Sequence, residues 1–139
     1  IDAGGLAAAE KAGCHTLSRH VREDLHGQEL DDWIRSRKGG TIRNSAWTVP
    51  VEDVNRLVAN DLDFNHGAVQ EWIGQMQRGE IDLKTKAFEW PADRVVGRGY
   101  NPARTPKMHD DTVVRTVLKY VPGRNPPYVV LTAFPAPVI

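Results

Sequence analysis

A chain of 139 residues has room for one domain and can bury a core without a metal or disulfide staple. Hydrophobic residues make up 40% and charged residues 26%, which excludes disorder, and no apolar run approaches the ~20 residues of a membrane-spanning helix. The one cysteine, Cys14, can form neither an internal disulfide nor a thiolate metal cage. The formal charge is zero but unevenly spread. Arg94 to Arg124 holds seven basic residues against Asp110 and Asp111, a net of +5, and residues 1–93 carry the balancing −5. Seven acids between Glu52 and Asp82 face only Arg56 and Arg78 and read as a solvated face. For the basic stretches, the second being Arg35, Arg37, Lys38 and Arg43, a phosphate-bearing partner competes with that reading.

In chain order, the first half is helical. Leu6–Ala12 is Ala-rich and stops at Gly13; His15–Arg22 places Leu17 and Val21 on one face; Leu30, Trp33, Ile34 and Arg37 keep helical spacing up to Gly39-Gly40. Arg22–Asp32 reads as a loop. Thr41–Val49 is β-branched and aromatic and predicts a strand. Thr48 or a neighbour is expected to cap the next helix, with Pro50 in its first turn. Val51, Val54, Leu57 and Val58 give that helix its core stripe, and Val69, Trp72, Ile73 and Met76 give the following one theirs. The period then changes. Ile81–Trp90, Arg94–Tyr100, Thr112–Val121 and Tyr128–Phe134 read as strands separated by Gly-, Asn- and Pro-rich turns. Helices first and strands afterwards predict an α+β fold with a mostly antiparallel sheet, as one domain over residues 1–139. The start at Ile1, without a signal-peptide pattern, reads as a domain cut from a longer protein.

No P-loop, dinucleotide fingerprint or zinc-ligand spacing occurs. His15 and His20 lie five apart and do not form an i,i+4 metal pair. What remains is a histidine working with cations and hydroxyls. That set suffices for metal-free cleavage of RNA: a base takes the 2′-OH proton, an acid protonates the leaving 5′-oxygen, and donors stabilise the charge on phosphorus.

Gly13-Cys14-His15-Thr16 followed by His20-Val21, then Trp33-Ile34-Arg35-Ser36-Arg37, Asn44-Ser45-Ala46-Trp47-Thr48 and Val130-Leu131-Thr132-Ala133-Phe134-Pro135 occur in one order along the chain. Together they resemble the bacterial ribonuclease A-like toxin domains found at the C-terminal ends of CdiA-type contact-dependent inhibition proteins and related polymorphic toxins. The resemblance implies N-terminal helices packed on a kinked antiparallel sheet, ribonuclease A-like without disulfides. It places the catalytic histidine on His20, the helix arginine on Arg37 with Arg35 as alternative, the strand threonine on Thr132 and an aromatic on Phe134. The family's usual tyrosine there is replaced by a ring that cannot donate a hydrogen bond. Cys14 and Ala9 depart from a usual glycine and histidine.

The residues alone leave other readings open. His20 also reads as a structural histidine, Thr132 as an ordinary β-former, and Arg37 as a cation suited to a helix C-terminus. His15 reads as structural. His109, beside Lys107, Asp110 and Asp111, reads as a loop residue or as a second proton-transfer group. Strict alternation puts Tyr128, Val130, Thr132 and Phe134 on the open face of the last strand and Val129, Leu131 and Ala133 on its core face, with Tyr128 as a reserve donor.

The resemblance further implies a secreted or cell-surface effector acting in the target cytoplasm, with RNA as substrate and no metal or cofactor. A cognate immunity protein is the expected partner, and the free toxin is expected to be a monomer. The competing classes are a metal-dependent nuclease or nucleotide-directed transferase toxin, and a non-catalytic RNA- or protein-binding module.

Overall fold

The computed structural model describes residues 27–36, 44–101, 103 and 106–137. Its elements are α1 (Gly27–Ser36), β1 (Asn44–Trp47), α2 (Val51–Phe64), α3 (His66–Gln77), β2 (Thr85–Pro91), β3 (Gly97–Tyr100), β4 (Met108–Asp111), β5 (Val113–Tyr120) and β6 (Tyr128–Ala136). Helix α1 starts within the stretch expected to be a loop, and the helices expected over 6–12 and 15–22 lie outside the described residues.

The strands form two antiparallel three-stranded sheets, ordered β1-β3-β4 and β2-β5-β6. The sheets meet at Thr112, where β4 gives way to β5 after one residue. Backbone bonds from Val96 N to Asp111 O and from Ala92 N to Thr112 O, both 2.9 Å, carry the pairing across the bend. The kink expected from the resemblance is thus a corner between two sheets. Gly97 allows it to close, because a Cβ there would overlap the Pro135 ring and the Ala46 carbonyl. The α+β expectation holds.

The main core lies between α2, α3 and one face of the β2-β5-β6 sheet. Val54, Leu57 and Val58 from α2 and Val69, Trp72 and Ile73 from α3 pack against Phe88, Val114, Leu118, Val130 and Ala133. Trp72 is fully buried, donates from Nε1 to Leu83 O at 2.9 Å, and meets Phe88 and Tyr120 edge-on. A smaller cluster seats Leu30 and Ile34 of α1 on Ala46, flanked by Trp33, Tyr100 and Met108. Pro50, not Thr48, caps α2: its carbonyl accepts from Asp53 N and Val54 N at 3.0 and 3.1 Å.

Two expectations fail here. Asp61, read as part of a solvated acidic face, is fully buried on the core side of α2, since helical spacing from Val54 and Val58 carries it inward. The alternation on β6 also breaks. Leu118 pairs with Val130 and Val117 with Thr132, which leaves Leu131 as an extra residue in a bulge. Core-facing residues before the bulge are therefore Tyr128 and Val130, and after it Ala133 and Pro135. Tyr128 packs against the core and does not share a face with Thr132, because one inserted residue flips the parity between them.

Candidate active site

On β5, Val114, Thr116 and Leu118 face the core, so Val113, Arg115, Val117 and Lys119 face away. Their neighbours define the outer surface. Glu89 on β2 and Phe134 on β6 stand directly across from Arg115, and Thr132 stands across from Val117, diagonal to Arg115. Arg115 Nη1 donates to Glu89 Oε1 at 3.0 Å, and the guanidinium carbon lies 5.9 Å from the Phe134 ring centroid, within cation–π range. Both ends of the ion pair are about one-third exposed, so it adds no more than about 1 kcal/mol to stability. Arg115 Nε and Thr132 Oγ1 are both buried, and neither has a hydrogen-bond partner among the described residues. An unmet buried donor costs about 1–3 kcal/mol, and two of them lie on this one face. From the other side of the sheet, Asn65 Nδ2 donates to Glu89 O at 2.8 Å and anchors that strand to the end of α2.

His109 lies on β4, not in a loop. Its Nδ1 is 2.7 Å from Asp111 Oδ1, and the two side chains are 9% and 1% exposed. Residues two apart on a strand share a face, so the pairing needs no bend in the backbone. Gly99 lies directly across from His109, and a Cβ there would come within 2.5 Å of the ring's Cε1. Only a glycine lets the imidazole lie against β3. His109 Nε2 is buried and makes no hydrogen bond among the described residues. A carboxylate oxygen at that distance orients the ring by accepting from Nδ1–H.

The next residue on either strand points to the opposite face. Arg98 donates from Nε to Asp31 Oδ1 at 2.8 Å, from Nη2 to Asp31 Oδ2 at 3.2 Å and from Nη1 to Asp110 Oδ1 at 2.8 Å. The Asp31 bonds, more than Coulomb attraction, hold its pKa above the ordinary arginine value. Arg98 ties α1 to the sheet, and this part of the basic stretch is neutralised within the protein.

Of the residues singled out from sequence, Thr132 and Phe134 are brought together on one face. Tyr128 is turned to the other side, and His109 is paired with Asp111 on the other sheet. His15, His20 and Arg37 lie outside the described residues, and Arg35 is on α1 with its side chain likewise outside them. Arg115 and Asp111 were missed. The position of Arg115 between Val113 and Val117 signals an outward residue, but only the strand register puts it across from Phe134.

This geometry is that of an α+β domain with an outward site on its last strands, and its relatives define its class. The family described as Bacterial CdiA-CT RNAse A domain matches residues 14–135. The chain belongs to that family, the ribonuclease A-like toxin domains of CdiA proteins. No curated protein matches. Among solved structures, the crystal structure of a CdiA-CT/CdiI complex from Y. kristensenii 33638 is similar in fold. It has 15% sequence identity and a TM-score of 0.67, covering 88% of this chain and 99% of that one.

Proposed function

We propose that this ribonuclease toxin domain cleaves RNA by metal-independent transphosphorylation. The 2′-oxygen attacks phosphorus, its proton passes to a base, and the 5′-oxygen leaves with a proton from an acid, giving a 2′,3′-cyclic phosphate and a 5′-hydroxyl. His20 carries one proton transfer. Arg37, with Arg35 as alternative, balances charge on the phosphorane, Thr132 donates to a phosphate oxygen, and the Phe134 ring stacks on a base. His109, oriented by Asp111, is the candidate for the second proton transfer. The observation that most supports this reading is Thr132 and Phe134 side by side on the outward face of β6, with an unmet hydroxyl donor next to a facing cation and aromatic ring.

The solved relative is a complex with CdiI. By analogy this domain has its own immunity protein, is presented as the C-terminal part of a larger cell-surface effector, and acts in the cytoplasm of the target cell. Purified protein incubated with total bacterial RNA in excess chelator is the test. Cleavage with cyclic phosphate ends is expected, and its loss in His20→Ala. Cleavage that stops in chelator overturns the metal-free mechanism; binding without cleavage overturns the enzyme.

A further inference from the structure

We propose that Arg115 is a phosphate-binding residue of this site, held by Glu89 until RNA arrives. The inference rests on the ribonuclease reading of Thr132 and Phe134, and it adds a cation from a different strand. Three observations carry it. Arg115 and Thr132 occupy diagonal positions on one face of adjacent strands, a separation that a long side chain spans. Each presents a buried donor, Nε–H and Oγ–H, with no partner among the described residues. The guanidinium is already oriented by Glu89 on one side and the Phe134 ring on the other, so little freedom is lost when it takes up an anion.

The ligand chemistry follows from the donors. A phosphodiester has two non-bridging oxygens, one for the Thr132 hydroxyl and one for the Arg115 fork, while the adjoining base stacks beside them on Phe134. A carboxylate ligand would satisfy the donors but would not bring a base to the ring. Glu89 is then a competitor, because the negative charge that steadies Arg115 in the free protein also repels the incoming phosphate.

That competition gives the test its sign. Binding of an all-2′-deoxy oligonucleotide, which lacks the attacking hydroxyl and stays intact, is measured for wild type, Arg115→Gln, Arg115→Lys and Glu89→Gln. RNA cleavage and thermal melting are followed in parallel. Arg115→Gln is expected to weaken binding by about tenfold and to lower the slope of log affinity against log salt by about 0.7, the value for one phosphate contact on a single strand. Glu89→Gln is expected to tighten binding, and Arg115→Lys to fall between wild type and Arg115→Gln.

An arginine that only braces the sheet gives a different pattern. Breaking the pair from either end would then be equivalent, and equal losses of binding and melting temperature in Arg115→Gln and Glu89→Gln overturn the proposal. Wild-type binding by Arg115→Gln, or no oligonucleotide binding by the wild type, also overturns it. Should Arg115→Gln fail to fold, the sign of the Glu89→Gln effect still decides. A wild type that binds through Arg115 but leaves RNA uncut would fail the ribonuclease reading and leave this assignment standing.

Discussion

His109 Nδ1 and Asp111 Oδ1 stand 2.7 Å apart on one face of β4, and the imidazole is wedged against Gly99 across the strand pair. The carboxylate accepts from Nδ1–H and orients the ring, so the two residues act as a unit. If His109 transfers a proton during cleavage, His109→Ala lowers kcat about 10²–10⁴-fold. Asp111→Asn disturbs the tautomer and costs less. The double variant should be no slower than His109→Ala alone, because the Asp111 effect passes through the ring. A further additive loss in the double variant, measured as kcat/KM on RNA, would show Asp111 acting elsewhere.

Asp61 makes stability depend on pH. Burial raises its pKa from 3.8 to about 7, against the opposing influence of neighbouring Thr116 and of Asn65, which donates to Oδ1 at 2.7 Å. Between those values the folded protein keeps a proton that the unfolded chain has released. The stability gained is complete below pH 3.8 and is lost as pH rises through about 7. Asp61→Asn keeps an acceptor for Asn65 and removes the charge. Urea unfolding at pH 4.5 and 7.5 should show wild type losing stability relative to Asp61→Asn, by up to roughly 3 kcal/mol at about 1.4 kcal/mol per pKa unit. Parallel curves would mean that Asp61 is ionised in the fold at both pH values.

What the sequence made legible was local. The stripes Val54-Leu57-Val58 and Val69-Trp72-Ile73 have helical period and lie in the core as expected. Thr132 and Phe134 came from a motif and stand on one face because they are two apart with no bulge between them. Pairing partners were not legible. The bulge at Leu131 depends on how β6 docks on β5, and alternation read along one strand cannot register it. Asp111 and Arg115 acquire meaning only from His109 beside one and from Phe134 across the sheet from the other.

Gly97 is a packing requirement. A methyl group there would strike the Pro135 ring and the backbone carbonyl of Ala46, and the carbonyl cannot swing aside. Gly97→Ala should cost about 1–3 kcal/mol by overpacking. Because Pro135 adjoins Phe134, activity should fall further than the loss of folded protein explains. Chemical denaturation together with cleavage assayed well below the melting temperature checks both, and a fully stable Gly97→Ala would mean that the corner between the sheets is open in solution.

The last question is what Phe134 supplies without a hydroxyl. Its ring faces Arg115 and neighbours Thr132, so it can present a π-surface to a base while the threonine presents the donor. Stacking of one base is worth about 1–3 kcal/mol, and an aliphatic residue of similar bulk lacks it. Phe134→Leu and Phe134→Ala should therefore both slow cleavage clearly, whereas Phe134→Tyr should change it little. Thr132→Ala should slow cleavage through the lost donor, and Thr132→Ser should restore most of the rate. Tyr128→Phe tests the face assignment: with that side chain packed on the core beyond the bulge, its hydroxyl has no route to the same phosphate and the rate should hold. A tenfold gain in kcat for Phe134→Tyr, about 1.4 kcal/mol of barrier, would mean that the site lacks a donor and that stacking is not what the ring provides.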